Sequence, residues 1–286
     1  MFLLNKLLGI WLDGWQLYFK KPGQENYMPI LNEKQIKYGF DYYHKDEPHP
    51  KSIVEVSEYN GENALTINCT QLGDSFTPQY KTQKEKKRVL HEWCSFLSSN
   101  TAVFTELSFG TRMPQELFDA VCSQQNLRKL YIKRGIYSDI SKIANLSKLE
   151  YLHIGSGASV QSIEPFTHLK KLVALSVENF QKIDDYGLLA SLGKLESLSV
   201  EGDGLGPQYI NVKSLDFLYD MSQLRFFRFL TARLKSKDYT PVLKLKNIEH
   251  LTLRPCKEVK ALYSDITKLS KLKYGLLIDR PGLYIN

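Results

Sequence analysis

Residues 140–154 read Ile-Ser-Lys-Ile-Ala-Asn-Leu-Ser-Lys-Leu-Glu-Tyr-Leu-His-Ile, and this one stretch carries two apolar periods. Ile140, Ile143, Leu146 and Leu149 stand three apart, the spacing of a 3₁₀ or short helical turn with one buried ridge. Leu152 and Ile154 stand two apart, so a short strand sends both to one face. Neither half can bury its apolar side alone, so the stretch needs neighbours of its own kind.

Those neighbours are present. Ile163–Val177 repeats the pattern, and the anchors L-x-x-L-x-L extend both ways. They fall at Phe104-Leu107-Phe109, Leu127-Leu130-Ile132, Leu149-Leu152-Ile154, Leu172-Leu175-Val177, Leu195-Leu198-Val200, Leu224-Phe227-Phe229 and Ile248-Leu251-Leu253. An eighth, distorted copy starts at Leu272 and ends near Leu276-Leu277-Ile278. Successive first anchors are 23, 22, 23, 23, 29, 24 and 24 residues apart, a phase kept by a stacked coil and seldom by chance. The longest interval contains Glu201-Gly-Asp-Gly-Leu-Gly-Pro207, which predicts a loop bulging from the coil.

Spaced in this way, the anchors resemble the leucine-rich-repeat family in the short bacterial form of internalin-type proteins, over roughly residues 100–280. The resemblance implies a curved horseshoe with a parallel sheet on its concave face and a role in gripping another protein. Internalin-type proteins are usually exported, whereas no export signal is read here. The family places Asn or Cys three residues after the last strand anchor. Here those sites hold Arg112, Gly135, Gly157, Phe180, Asp203, Ala232 and Cys256, and only Cys256 conforms.

The expected fold is thus α/β: a leucine-rich-repeat solenoid of about eight repeats over residues 101–286, with an α+β cap over residues 1–100, because an open solenoid end is costly. Within the cap, Ser52–Tyr59 and Ala64–Thr70 flank Asn60-Gly61 and predict a β-hairpin. Gln83–Ser98 predicts a helix burying Val89, Leu90, Trp93, Phe96 and Leu97. Tyr38, Phe40, Tyr42 and Tyr43 read as packing residues ahead of a loop at Asp46–Pro50. Met1–Tyr18 is apolar but interrupted by Lys6 and Asp13. It suits neither a signal peptide nor a membrane span and reads as a helix lying on the body.

Composition narrows the function. The net charge is +7, and residues 1–100 are neutral, so the whole excess falls in the repeats and favours a partner with an acidic surface. Cys69, Cys94, Cys122 and Cys256 are scattered without C-x-x-C spacing, which fits free thiols in a reducing compartment, and the missing export signal argues for the cytoplasm. The six histidines lack metal-ligand spacing, and no phosphate-loop, H-E-x-x-H, G-x-S-x-G or calcium-loop pattern occurs. Asp184-Asp185 sits in a turn where two carboxylates seldom converge. No enzyme, metal, cofactor or small-molecule substrate is therefore expected.

Strand alternation supplies the candidate site. Residues beside the inward anchors point out of the coil and should line an exposed concave ladder. Lys129, Tyr131, Lys133, Tyr151 and His153 form one aromatic-basic patch, and Phe226, Arg228, Leu230, His250 and Arg254 a second. A serine-rich stretch with Glu178 and Glu201 separates them. Tyr and Arg are favoured at interface hot spots. The resulting reading is a protein-binding adaptor or inhibitor, with an immunity protein against a toxin or a host-directed effector as its specific forms. The rival is nucleic-acid binding, which the basic excess supports but no recognition motif accompanies. A membrane partner is not expected. Deleting residues 1–100 should expose the apolar end of the first strand unit. Aggregation is the expected outcome, and a monomeric, cooperatively melting 101–286 fragment would show the cap to be dispensable.

Overall fold

The computed structural model describes residues 30–41, 49–204, 206 and 208–285. Eleven strands and five α-helices are formed there. In chain order they are α1 (Glu33–Tyr38), β1 (Lys51–Ile53), β2 (Ala64–Ile67), α2 (Gln83–Ser99), β3 (Glu106–Met113), α3 (Gln115–Val121), β4 (Lys129–Gly135), β5 (Tyr151–Ile154), β6 (Ala174–Glu178), β7 (Ser197–Glu201), β8 (Ile210–Val212), β9 (Phe226–Leu230), β10 (Ala232–Leu234), β11 (His250–Leu253), α4 (Lys257–Ile266) and α5 (Leu276–Asp279). Nine strands make one parallel sheet in the order β1-β2-β3-β4-β5-β6-β7-β9-β11, while β8 and β10 pair separately.

The three-residue period becomes hydrogen bonding. Ile143 N–H donates to Ile140 O, Leu146 to Ile143 and Leu149 to Leu146, so every third residue is both inside and bonded. The same chain runs through Ile163, Phe166, Leu169 and Leu172. These 3₁₀ turns span Ser141–Asn145, Glu164–His168, Gly187–Ser191, Asp216–Asp220 and Thr240–Lys244. The two-residue period becomes a sheet in register: Leu152 pairs with Leu175, and Leu175 with Leu198, all three fully buried.

Where the family's Asn would sit, glycine and aromatic rings fill the turn. A Cβ on Gly135 would lie 2.2 Å from the Tyr137 ring, and one on Gly157 would lie 2.2 Å from the Phe180 ring. Both rings are buried. Backbone amides carry the coil-to-coil bonds, from Gly135 N to Gly155 O and from Gly157 N to Glu178 O. The coil stays regular because glycine admits the ring that a side chain would exclude.

Three expectations are corrected. There is no hairpin around Asn60-Gly61. Val56–Glu58 forms a 3₁₀ turn, and β1 and β2 pair in parallel. The apolar residues of 53–59 do not alternate strictly, and β2 instead joins β3 in parallel, so the sheet runs on through residue 100 into the N-terminal region. The eighth repeat ends differently too. Tyr274 makes a single bridge to His250, then Gly275, at φ 102°, turns the chain into α5. Leu277 and Tyr284 seal that end, and Tyr284 OH donates to Leu253 O. Finally, the extra residues after Glu201 do not only bulge: they lead into β8, which pairs with β10.

The helix expected at Gln83–Ser98 is α2, started by a Thr82–Glu85 capping box. It buries Val89, Trp93 and Leu97, and Trp93 Nε1 donates to Val54 O at 2.7 Å. The segment read at Met1–Tyr18, the aromatics Tyr42 and Tyr43, and Asp46 to Pro48 of the proposed loop lie outside the described residues. Because Leu175 packs between two equivalent leucines, Leu175→Ala should cost about 2–5 kcal/mol in denaturant unfolding, as other core truncations do. A loss under about 0.5 kcal/mol would be incompatible with this packing.

Candidate functional site on the concave face

In-register parallel pairing stacks the outward side chains into rows. One row is Glu106, Lys129, Tyr151, Ala174, Ser197, Phe226 and His250. The next is Ser108, Tyr131, His153, Ser176, Ser199, Arg228 and Thr252. Large residues stand at both sides, and Ala174, Ser176, Ser197 and Ser199 lie between them. Strands are only about 4.8 Å apart, so this run of small residues is a trough rather than a set of separate gaps.

The trough is filled by the chain itself. Residues 30–41 cross it, and Leu31, Ile36 and Phe40 bury themselves against Val173, Ala174 and Phe226, with Tyr151 and Tyr274 alongside. Helix α1 is begun by an Asn32–Gln35 capping box and ended at Gly39, φ 99°. The expectation of a solvent-exposed ladder is therefore corrected at its centre. Ala174, Ser176, Ser197, Ser199, Phe226, His153, His250 and Thr252 are all buried.

Polar contacts fasten the segment at both ends. The first centres on Glu196, whose side chain is 0% exposed. Its carboxylate accepts the backbone N–H of Ile30 at 2.7 Å and of Leu31 at 3.1 Å. Arg225 Nη1 donates both to Glu196, at 2.9 Å, and to Leu31 O, at 2.7 Å, while its Nε donates to Glu249 at 2.7 Å. Burial works against the Arg225 charge, but the two carboxylates more than compensate and hold its pKa above the ordinary value. A buried carboxylate is tolerated here because every oxygen has a partner. At the other end, Asp41 lies 3.1 Å from His153 Nδ1, and Tyr274 OH donates to Glu33 at 2.6 Å. Burial pushes the Asp41 carboxyl up, yet the His153 contact and the Arg228 charge hold it below the usual range.

The expected site residues fall into two groups. Tyr151, His153, Phe226 and His250 form the seat of the segment. Tyr151 lies 6.1 Å from the Phe40 ring. The His250 ring lies 4.2 Å from that of Phe226, tilted by 30°, and bonds Thr252 at 2.9 Å. Burial, then the Arg228 charge, lowers the His250 pKa to about 4, so the ring is neutral at pH 7. The other group stays accessible: Tyr131, stacked at 4.4 Å on His153, with Lys133, Arg228, Leu230 and Arg254. Lys129 is partly buried and paired with Glu106 at 3.0 Å. Arg228 Nε is 2.9 Å from Glu201, too oblique an approach for a hydrogen bond. Asp184 and Asp185 are spent on surface ion pairs with Lys235 and Lys213.

Glu196, Arg225 and Glu249 are absent from the expected site, although a signal for them exists. From the second repeat on, the residue after the first anchor runs Arg128, Glu150, Val173, Glu196, Arg225, Glu249, Lys273. Opposite charges thus alternate along one edge of the sheet, and the one apolar residue, Val173, lies where the segment packs. One strand per coil, parallel neighbours in register and consensus leucines inward decide the architecture. The fold is a leucine-rich-repeat solenoid.

Solved leucine-rich-repeat structures resemble this solenoid in part. An internalin from Listeria monocytogenes is 21% identical over 66% of this chain and 66% of its own, with a TM-score of 0.47. Internalin C2 of the same organism is 18% identical over 64% and 82%, with a TM-score of 0.39. A leucine-rich-repeat protein of Leptospira interrogans is 14% identical over 74% and 52%, with a TM-score of 0.38. The chain thus spans just under two thirds of the first internalin and about half of the Leptospira protein. No family model and no curated protein matches the sequence.

Glu196→Ala removes the acceptor of two backbone amides and leaves Arg225 half-paired. Hydrogen exchange at Leu31 to Phe40 should accelerate at least ten-fold, equivalent to about 1.4 kcal/mol or more of lost docking, while amides of β4–β6 keep their protection. Unchanged exchange at Leu31 would show that the carboxylate does not hold the segment.

Proposed function

We propose that this protein is a non-enzymatic binding module that grips a polypeptide partner on the concave face, beside its own residues 30–41. One observation carries the reading: the face already holds a polypeptide. Residues 30–41 are bound there by apolar anchors in a small-residue trough and by side chains that read their backbone. A surface with such chemistry is suited to a second chain.

The partner contacts assigned are the residues that keep access to solvent on the two walls, namely Tyr131, Lys133, Arg228, Leu230 and Arg254. Arg254 lies 4.8 Å over the Tyr209 ring, so the far wall also presents a cation on an aromatic. Tyr151, His153, Phe226 and His250 support that surface from beneath the segment. Exposed Lys142, Lys170, Lys171, Lys244 and Lys246 place much of the basic excess on the 3₁₀ side. There it acts by long-range attraction of an acidic partner rather than by contact. Carboxylates at the concave centre count against a nucleic-acid partner.

Within this reading the module is an adaptor or inhibitor in the cytoplasm, and an immunity protein or a host-directed effector is its specific form. Free thiols support a reducing compartment, with burial pushing Cys69 up to about 12. Among the described residues, no helix is long and apolar enough to cross a membrane. An adjacent toxin gene would select the immunity form.

A partner retained after nuclease treatment provides the test. Tyr131→Ala should weaken its binding at least ten-fold, about 1.4 kcal/mol. Lys170→Ala should leave it unchanged, with thermal melting confirming both folds. A crosslinking footprint confined to the 3₁₀ turns would overturn the assignment.

A further inference from the structure

Beside Asp41, the concave face keeps a cavity of about 200 Å³ between the trough, Arg228 and the loop at Gly202 and Gly204. Its walls carry three carboxylates, Asp41, Glu178 and Glu201, against one guanidinium, Arg228, with His153 beside them. Asp41 is matched by His153, and Glu201 by Arg228. Glu178 accepts the Gly204 N–H at 3.1 Å, and among the described residues no cation pairs with it. The cavity therefore has an acceptor surplus.

A second feature is independent of that charge. Ser199 lies on β7 with its side chain on the concave face, lines the cavity and is 7% exposed. No described residue is hydrogen-bonded to its hydroxyl, which opens onto the cavity. A ligand that donates hydrogen bonds would satisfy it together with Glu178.

We propose that this cavity receives the guanidinium of an arginine side chain carried by the polypeptide partner. Size and spacing select the ligand. Among the described residues, no three acidic, histidine or cysteine groups converge closely enough to hold a metal ion, so a single point charge cannot satisfy these acceptors. A planar fork with five donors on an apolar stem spans separated acceptors, and Phe40 and Phe226 on the cavity wall suit the stem. An anionic side chain would meet three carboxylates and is excluded. The assignment rests on the concave binding reading for its partner, whereas the cavity chemistry can be tested without one.

The full-length protein is titrated with N-acetyl-arginine amide, followed by NMR shifts of the Ser199, Glu201 and Gly204 amides. The same titration uses the lysine, citrulline and glutamate analogues. The arginine probe should bind at least five-fold more tightly than lysine, and the neutral citrulline and the glutamate should not move these amides. Glu178→Gln keeps an acceptor for Gly204 and should weaken the arginine probe about ten-fold with an unchanged melting temperature. Glu178→Asp, which keeps the charge, should retain more affinity than Glu178→Gln. No shift with arginine, an equal response to citrulline, tighter binding of glutamate, or indifference to Glu178→Gln would each overturn the assignment. If the probe binds as expected while the partner footprint lies on the 3₁₀ turns, the protein-binding reading falls and the cavity assignment stands. The converse result removes the cavity assignment alone.

Discussion

Everything in this molecule depends on one packing constraint: a coil of about two dozen residues has an apolar edge above and below, and only another coil covers it. Leu152, Leu175 and Leu198 meet that constraint by lying at equivalent depths on paired strands. Register follows, because a slip of one residue would send the leucines out and the charged ladder in. Once register is fixed, so is the chemistry of the concave face, since each outward residue must stack on its counterpart one coil away. The site is a by-product of how the core is buried.

The small residues at Ala174, Ser176, Ser197 and Ser199 are the point where that by-product becomes specific. A helix backbone can approach a sheet closely only where side chains are short. The trough has large walls, Tyr151 and His153 on one side and Phe226 and Arg228 on the other, and α1 lies between them. Burial of Leu31, Ile36 and Phe40 favours docking without fixing direction. The buried Glu196 and its Arg225 partner add direction, because they bind backbone groups of Ile30 and Leu31 in one geometry.

Much of the fold was legible in the sequence, since its two periods are physical. A three-residue spacing is the repeat of a 3₁₀ turn, and the Ile140–Leu149 hydrogen bonds reproduce it residue by residue. The helix at Gln83–Ser99 was legible for the same reason, with its Thr82–Glu85 box marking the start. The hairpin was misread because Asn60-Gly61 signals a turn without saying how the flanking chain pairs. Gly61 does turn at φ 93°, but β2 pairs in parallel with β1 on one side and β3 on the other. The concave face was half legible. Alternation correctly separates Tyr131 from Leu130, but exposure is a tertiary property. Nothing local in Leu31, Ile36 or Phe40 announces a contact with Phe226. The alternating charges from Arg128 to Lys273 come nearest, and they become informative only when aligned by repeat.

Ile30 and Glu196 are 166 residues apart in sequence, and Leu31 and Arg225 are 194 apart. The coils assemble from contacts between neighbours, which close short loops and form early. Docking of the segment closes the longest loop and requires β6, β7 and β9 to exist first. On a ribosome the segment leaves the exit tunnel before any part of its seat has been translated, so its three apolar anchors stay uncovered until residue 225 and its strand have followed. The first described residues to be synthesised are thus among the last to find their place.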